Sequence, residues 1–251
     1  MTEPLMTEPL LSVRGLSKRF GGVQALNAVS LDLHEGEVVA LAGDNGAGKS
    51  TLIKAISGVH RHDEGEIRLA GEPVAFATPH DARDRGIETI YQDLALADNL
   101  SIGANIFLGR EPKRRLFGLL PVLDRRHMAE AARATMARLD FHVERLEAPV
   151  ATFSGGQRQA VAIGRAIYWN ARILIMDEPT AALGVPEQRK VLALVQSLKA
   201  QGKGVIFISH NLGDIFAVAD RIVVLRRGVK AGERRTAETD ADEVVRLVVG
   251  G

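Results

Sequence analysis

From Leu10 to about Leu33 apolar and polar residues alternate in two short runs, Leu10-Leu-Ser-Val-Arg-Gly-Leu16 and Val29-Ser-Leu-Asp-Leu-His34, with Gly21-Gly22 between them. Alternation with period two and a glycine pair predict strands around a turn. Glu37-Val-Val-Ala-Leu-Ala42 is almost wholly apolar and too short for a helix, so it predicts a buried strand. Helical spacing runs from Gly48 to Gly58. A β segment over Gly65–Phe76, a helix after Pro79 and a strand at Ile87–Tyr91 follow. Residues from about Leu94 to Leu146 carry Ala, Arg and Leu at helical spacing, broken near Pro112 and Pro121, and predict an inserted helical subdomain. After Ser154 the pattern gives a helix to about Trp169, a strand at Arg172–Met176, a helix at Pro186–Ala200, a strand at Gly204–Ser209 and a helix at Asn211–Val218. The tail, Arg221–Gly251, adds strands and a short helix. Strands alternating with helices predict an α/β fold with a mostly parallel sheet and crossover helices.

Composition narrows the function classes. With 32 Lys and Arg against 31 Asp and Glu, the net charge of +1 offers no bulk attraction for nucleic acid. The absence of cysteine removes disulfides, zinc–thiolate sites and thiol catalysis, and fits a reducing compartment. No apolar stretch approaches the roughly 18–20 residues that span a bilayer. The opening MTEPLMTEPL has acids where a secretory signal has bases, so a soluble, cytoplasmic chain is expected. The MTEPL duplication carries no structural weight. Residues 1–9 are expected to be a disordered extension to a single domain over 10–251.

Gly43-Asp44-Asn45-Gly46-Ala47-Gly48-Lys49-Ser50 fits G-x-x-x-x-G-K-[ST] and lies between a predicted strand and a predicted helix. Its glycines allow backbone turns that aim successive N–H groups at phosphate oxygens, and the helix adds its positive end. Lys49 is expected to reach the β- and γ-phosphates, Ser50 to ligate Mg²⁺, and Thr51 to extend the nucleotide contacts. Asp177 and Glu178 end the apolar run Ile173-Leu-Ile-Met176, at the strand edge where open α/β sheets bind ligands. Asp177 suits the hydration shell of the metal, and Glu178 suits the general base that polarises water.

Phe153-Ser154-Gly155-Gly156-Gln157 stands just before this acidic strand. It resembles the L-S-G-G-Q signature of ATP-binding-cassette (ABC) ATPases, and the resemblance spans roughly residues 10–230. It implies a P-loop cassette with a mostly parallel core sheet, an N-terminal antiparallel β subdomain and a helical subdomain over about 94–160. It further implies ATP and Mg²⁺ as ligands, with Ser154, Gly155, Gly156 and Gln157 contacting nucleotide. By the same resemblance Phe20 stacks on adenine. Gln92 contacts metal or water and moves with a transmembrane partner, and His210 contacts the γ-phosphate. The other histidines (34, 60, 62, 80, 127 and 142) form no metal-ligand spacing and are expected at the surface.

Two positions depart from the pattern: Phe153 replaces Leu, and Gly184 replaces the Asp that helps couple two sites, which loosens the expected coupling. Asn105-Ile-Phe-Leu-Gly-Arg-Glu-Pro112, Tyr91-Gln-Asp and Thr180-Ala-Ala-Leu-Gly184 resemble the ATPases of bacterial ribose, xylose and fructose importers. That implies a peripheral subunit on the cytoplasmic face of the inner membrane. Its partners would be a second copy in an ATP sandwich, an integral membrane permease and, indirectly, a periplasmic sugar-binding protein. Exporter or lipoprotein-release ATPases, and soluble members acting on ribosomes or DNA, are the alternatives. The last usually carry two cassettes or long coiled-coil insertions, which this chain lacks.

Overall fold

The computed structural model describes residues 8–116, 119–139, 141 and 145–250. The expectations for residues 1–7 and for His142 lie outside these. The first hairpin is longer than its alternating pattern indicates. β1 (Leu11–Phe20) and β2 (Val23–Leu33) turn at Gly21-Gly22 and pair antiparallel. Register shifts after Val13 and Leu16 interrupt the alternation. Gly15 and Ala28 take φ of +57° and +51° there, and such bulges hide the strand from a period-two reading. β4 (Glu64–Leu69) joins β1, and β5 (Glu72–Val74) joins β4, which completes a four-stranded antiparallel sheet. Between the two hairpins the chain forms β3 (Val38–Ala42) and α1 (Lys49–Ile56).

β3 is central in a second sheet. Parallel to it run β6 (Ile87–Ile90), β9 (Ile173–Asp177), β10 (Gly204–Ile208) and β11 (Arg221–Arg226), and β12 (Val229–Arg235) closes one edge antiparallel. Both faces are covered, which explains why these strands read as apolar runs. Val39 and Leu41 pack with Leu52 and Ile56 of α1. Val38, Ala40 and Ala42 face the opposite layer. That layer includes α5 (Gly155–Tyr168), α6 (Val185–Ala200), α7 (Leu212–Val218) and α8 (Ala241–Val249). On the first side, α2 (Pro79–Asp84) begins at a reciprocal cap between Thr78 and Asp81.

The insertion is not wholly helical. α3 (Ile102–Ile106) and α4 (Arg125–Arg138) flank a two-stranded hairpin, β7 (Lys113–Leu116) and β8 (Leu120–Leu123). The breaks expected near Pro112 and Pro121 fall at this hairpin, and helices flank it on both sides. Pro112 and Pro121 forbid a continuous helix, whereas an isolated two-stranded ladder tolerates the missing N–H of Pro121. Asn105, fully buried, accepts from the Ala97 N–H at 2.7 Å and donates to the Ala97 and Ser101 carbonyls, fastening the entry loop to α3.

Arg221 staples the two large sheets. Its guanidinium donates to Glu37 at 2.9 Å, to the Asp32 carbonyl of β2 at 2.7 Å, and to Glu233 of β12. Burial alone would raise the Glu233 carboxyl, but hydrogen bonds from Arg221 and Lys230 outweigh it and hold the group below its ordinary value. A depressed carboxyl stabilises the fold above its unfolded pKa, and that stability is lost as pH falls through the folded value. Arg221→Met should therefore lower the unfolding free energy near neutrality by about 1–3 kcal/mol. It should also flatten the acid-side decline seen in urea titrations at stepped pH.

Candidate nucleotide site

The loop between β3 and α1 depends on three glycines with positive φ: Gly43 (+142°), Gly46 (+81°) and Gly48 (+105°). A Cβ on Gly43 would lie 2.2 Å from the Leu225 carbonyl oxygen, and one on Gly48 would lie 2.9 Å from that of Ala25. At Gly46 a Cβ would meet nothing within 4 Å, so this side of the loop is open. α1 starts at Gly48 with no side-chain cap and no acid in its first turn. Its N-terminal N–H groups and dipole are thus available to an anion. Lys49 curls into the loop, where Nζ donates to the Gly43 carbonyl and, at 3.1 Å, to that of Asp44. Asp44, Asn45, Gly46 and Ser50 are exposed, Thr51 is half-buried, and Ala47 is buried beneath them. This cradle fits a polyphosphate.

The parallel register carries the acids to the same edge. Asp177, the last residue of β9, pairs with Ile208 of β10. Burial raises the Asp177 carboxyl and the adjacent Glu178 carboxylate raises it further, while Lys49 and Lys54 pull it back only in part. Such a group favours a nearby cation. Glu178 turns away from the strand with φ of +51°, a left-handed conformation costly for a residue with a Cβ. Its N–H donates to the Ile208 carbonyl at 2.9 Å. His210, just past β10 and largely exposed, places Nδ1 2.8 Å from Glu178 Oε2. The approach is off the hydrogen-bonding direction, and that buried oxygen lacks a directed donor. Gln92, exposed, lies two residues beyond β6, whose Ile90 pairs with Met176 of β9. The hydroxyl of Ser50, the Asp177 carboxylate and the carbonyl of the Gln92 amide are oxygen donors of the kind Mg²⁺ takes. Among the described residues no cluster of three or more His, Cys, Asp or Glu forms a separate metal cage. A metal with few protein ligands and substrate phosphates fits that.

The Ser154 motif stands at the N-terminus of a different helix, α5. Ser154 caps α5 by accepting from the Gln157 N–H, and the Gln157 side chain accepts from the Ser154 N–H at 2.9 Å. Gln157 therefore serves the cap here. Gly155 and Gly156 admit close neighbours from their own chain. A Cβ on Gly155 would lie 2.5 Å from Leu183, and one on Gly156 would lie 3.2 Å from Glu187. Phe20 is 44% exposed, with His60 in a T-shaped pairing at 5.2 Å and the Lys18 ammonium over its ring, 5.4 Å from the centroid.

Sequence reading missed several contributors. Arg226, the last residue of β11, and Arg227, in the turn after it, line a cavity of about 510 Å³ together with Asp44, Asn45 and Gly46. An Arg-Arg-Gly turn after an apolar run was the only sequence signal. Buried Thr180 donates to Asp214 of α7 at 2.6 Å, pinning the segment after Glu178. The sequence offered no signal for that contact.

Residues 26–181 match the family model described as ABC transporter. The chain is 48% identical to the xylose/arabinose import ATP-binding protein of Sulfolobus acidocaldarius, over 95% of this chain and 93% of that one. It is 50% identical to the fructose import ATP-binding protein of Rhizobium meliloti, over 88% and 86%. It is 48% identical to a ribose import ATP-binding protein of Rubrobacter xylanophilus, over 96% of this chain but 47% of that longer one. An ATP-binding cassette of an ABC transporter solved in its ADP conformation superposes with a TM-score of 0.82 at 26% identity, covering 97% and 99% of the two chains.

The loop contacts predict unequal glycine sensitivity. Gly46→Ala should cost about 1–2 kcal/mol of unfolding free energy from φ alone. Gly43→Ala, which also meets the Leu225 carbonyl, should cost more than twice as much. Equal losses in denaturant titrations would contradict the crowding account.

Proposed function

The chain belongs to the ABC transporter family, and we propose that within it the chain is the ATP-hydrolysing subunit of an importer for a simple sugar. The family's ATP-binding subunits are ATPases. One observation carries the reading: the phosphate loop, Asp177, Glu178 and His210 converge on the carboxyl edge of one parallel sheet. The sugar class is supported by the names of relatives that are 44–50% identical.

In this reading the loop N–H groups and Lys49 bind the ATP phosphates, and Phe20 stacks on the base. Glu178 accepts the proton of the attacking water, and His210 orients beside it and reaches the γ-phosphate. Ser50, Asp177 and Gln92 are proposed to hold Mg²⁺, which when bound neutralises charge on the β- and γ-oxygens. The Ser154 motif, whose glycines lie against Leu183 and Glu187, is proposed to complete the site of a second copy. Each sandwich would hold two ATP molecules and open on hydrolysis.

The subunit would sit at the cytoplasmic face of the inner membrane, a reading supported by its likeness to import ATP-binding proteins; no described helix is long and apolar enough to cross a membrane. A groove of about 350 Å³ between the sheet and the insertion, lined by Val59, Tyr91, Ile106, Leu108, Arg110 and Trp169, is proposed to receive a permease segment. The permease and a periplasmic receptor would choose the sugar.

Lys49→Ala should abolish productive ATP binding, because the β- and γ-phosphates lose their nearest side-chain cation. Glu178→Gln should retain ATP, slow hydrolysis by about 10²–10⁴-fold and accumulate as an ATP-bound dimer in size exclusion. Lys49→Ala and Ser154→Arg proteins should each be inactive alone. Mixed together, they should partly recover ATPase activity, because one site of the heterodimer keeps an intact lysine and an intact signature. No recovery in heterodimers verified by differential tags would overturn the two-chain site.

A further inference from the structure

The β7–β8 hairpin takes no part in nucleotide chemistry, and its composition is unlike the rest of the surface. Residues 113–123, Lys-Arg-Arg-Leu-Phe-Gly-Leu-Leu-Pro-Val-Leu, contain three cations and no acid. Lys113, Arg114 and Arg115 are exposed, and none joins an ion pair among the described residues. The acids at the hairpin base are engaged otherwise: Glu111 accepts from the Gly109 N–H, and Asp124 caps α4 at the His127 N–H. Beyond the cations, Leu119 is 84% exposed, Leu120 62% and Leu123 45%. Two exposed leucines on β8 and a third in the turn before it leave apolar surface in water, and the unpaired cations of β7 beside them suit an anionic lipid surface. The side chains can enter the acyl boundary while the cations meet headgroup phosphates.

We propose that this hairpin is a lipid-contacting element that lays Leu119, Leu120 and the Lys113–Arg115 cations on an anionic membrane surface. Its position agrees with that role. β7 begins three residues after Arg110, which lines the groove proposed for the permease, so the chain passes directly from that groove into the hairpin. That positional argument rests on the permease reading, whereas the lipid contact itself rests on the hairpin. Charge complementarity favours lipid over a neutral protein surface, because β7 and β8 place the cations on a strand without a carboxylate opposite: Lys113 faces Leu123, Arg114 faces Val122 and Arg115 faces Pro121.

The test is co-sedimentation of the full chain with protein-free vesicles, either phosphatidylcholine alone or phosphatidylcholine with about one-third phosphatidylglycerol. The wild-type chain should bind the anionic vesicles, bind the neutral ones far more weakly, and release as salt rises. At about fivefold per cation, Arg114→Ala with Arg115→Ala should weaken binding roughly 25-fold. Leu119→Ser with Leu120→Ser should weaken it about tenfold. Both double variants alter exposed positions, and unchanged circular dichroism and ATP binding would show that they fold. Equal binding of the wild type to neutral and anionic vesicles would overturn the proposal. So would variants that bind like the wild type, or binding seen only when permease is reconstituted. The last outcome would leave the permease reading intact while removing the lipid contact.

Discussion

A phosphate loop whose N–H groups point inward cannot hold that shape by itself, and the rest of this structure depends on what presses against it. The turn between β11 and β12 supplies the pressure. The Gly228 N–H donates to the Ala47 carbonyl at 2.9 Å, and the Gly228 carbonyl accepts from the Asn27 N–H at 2.8 Å. Gly43 and Gly48 lie so close to Leu225 and Ala25 that any side chain would collide. The contacts come from both large sheets, β2 of the antiparallel one and β11–β12 of the parallel one, so the loop is clamped at their seam. Arg221 fastens the same seam through Asp32, Glu37 and Glu233. Sheet packing and loop geometry are therefore one constraint.

The segment after Glu178 links that clamp to the signature motif. Thr180 ties it to α7, and Leu183 rests against Gly155. At Gly184, where the resemblance expects Asp, the N–H donates to Glu187 Oε2 at 3.2 Å, and the same oxygen stands 3.2 Å from where a Cβ would be. The glycine has no side chain to complete that cap, yet a carboxylate still occupies the neighbouring space. The Glu187 stem lies against Gly156. Residues on either side of Gly184 thus touch both signature glycines within one chain.

What was legible in the sequence was local. The loop, the run ending in Asp177 and the strand before His210 are short strings whose strand–loop–helix order fixes where their side chains emerge, and the parallel sheet followed from the alternation of those strings. Features formed by distant residues were not legible. The clamp joins Ala47 to Gly228 across the length of the chain. Bulges at Gly15 and Ala28 disguised long strands as short ones. The β7–β8 ladder lay inside a stretch whose Ala, Arg and Leu spacing imitates helix, with only two prolines to mark the break. Ser154-Gly-Gly-Gln157 is also the S-x-x-Q string of a capping box, and the Gln157 side chain closes that cap on α5.

The central claim is that a phosphate loop of one copy is completed by the Ser154 motif of another. Because the chain has no cysteine, inter-chain cross-linking tests it against a clean background. Differently tagged Asn45→Cys and Ser154→Cys chains, each also carrying Glu178→Gln, would be mixed and treated with a short bismaleimide. The account predicts a cross-link between the two tags that forms with ATP and disappears without it. A cross-link yield indifferent to ATP, or none between chains while both cysteines remain reactive, would contradict it.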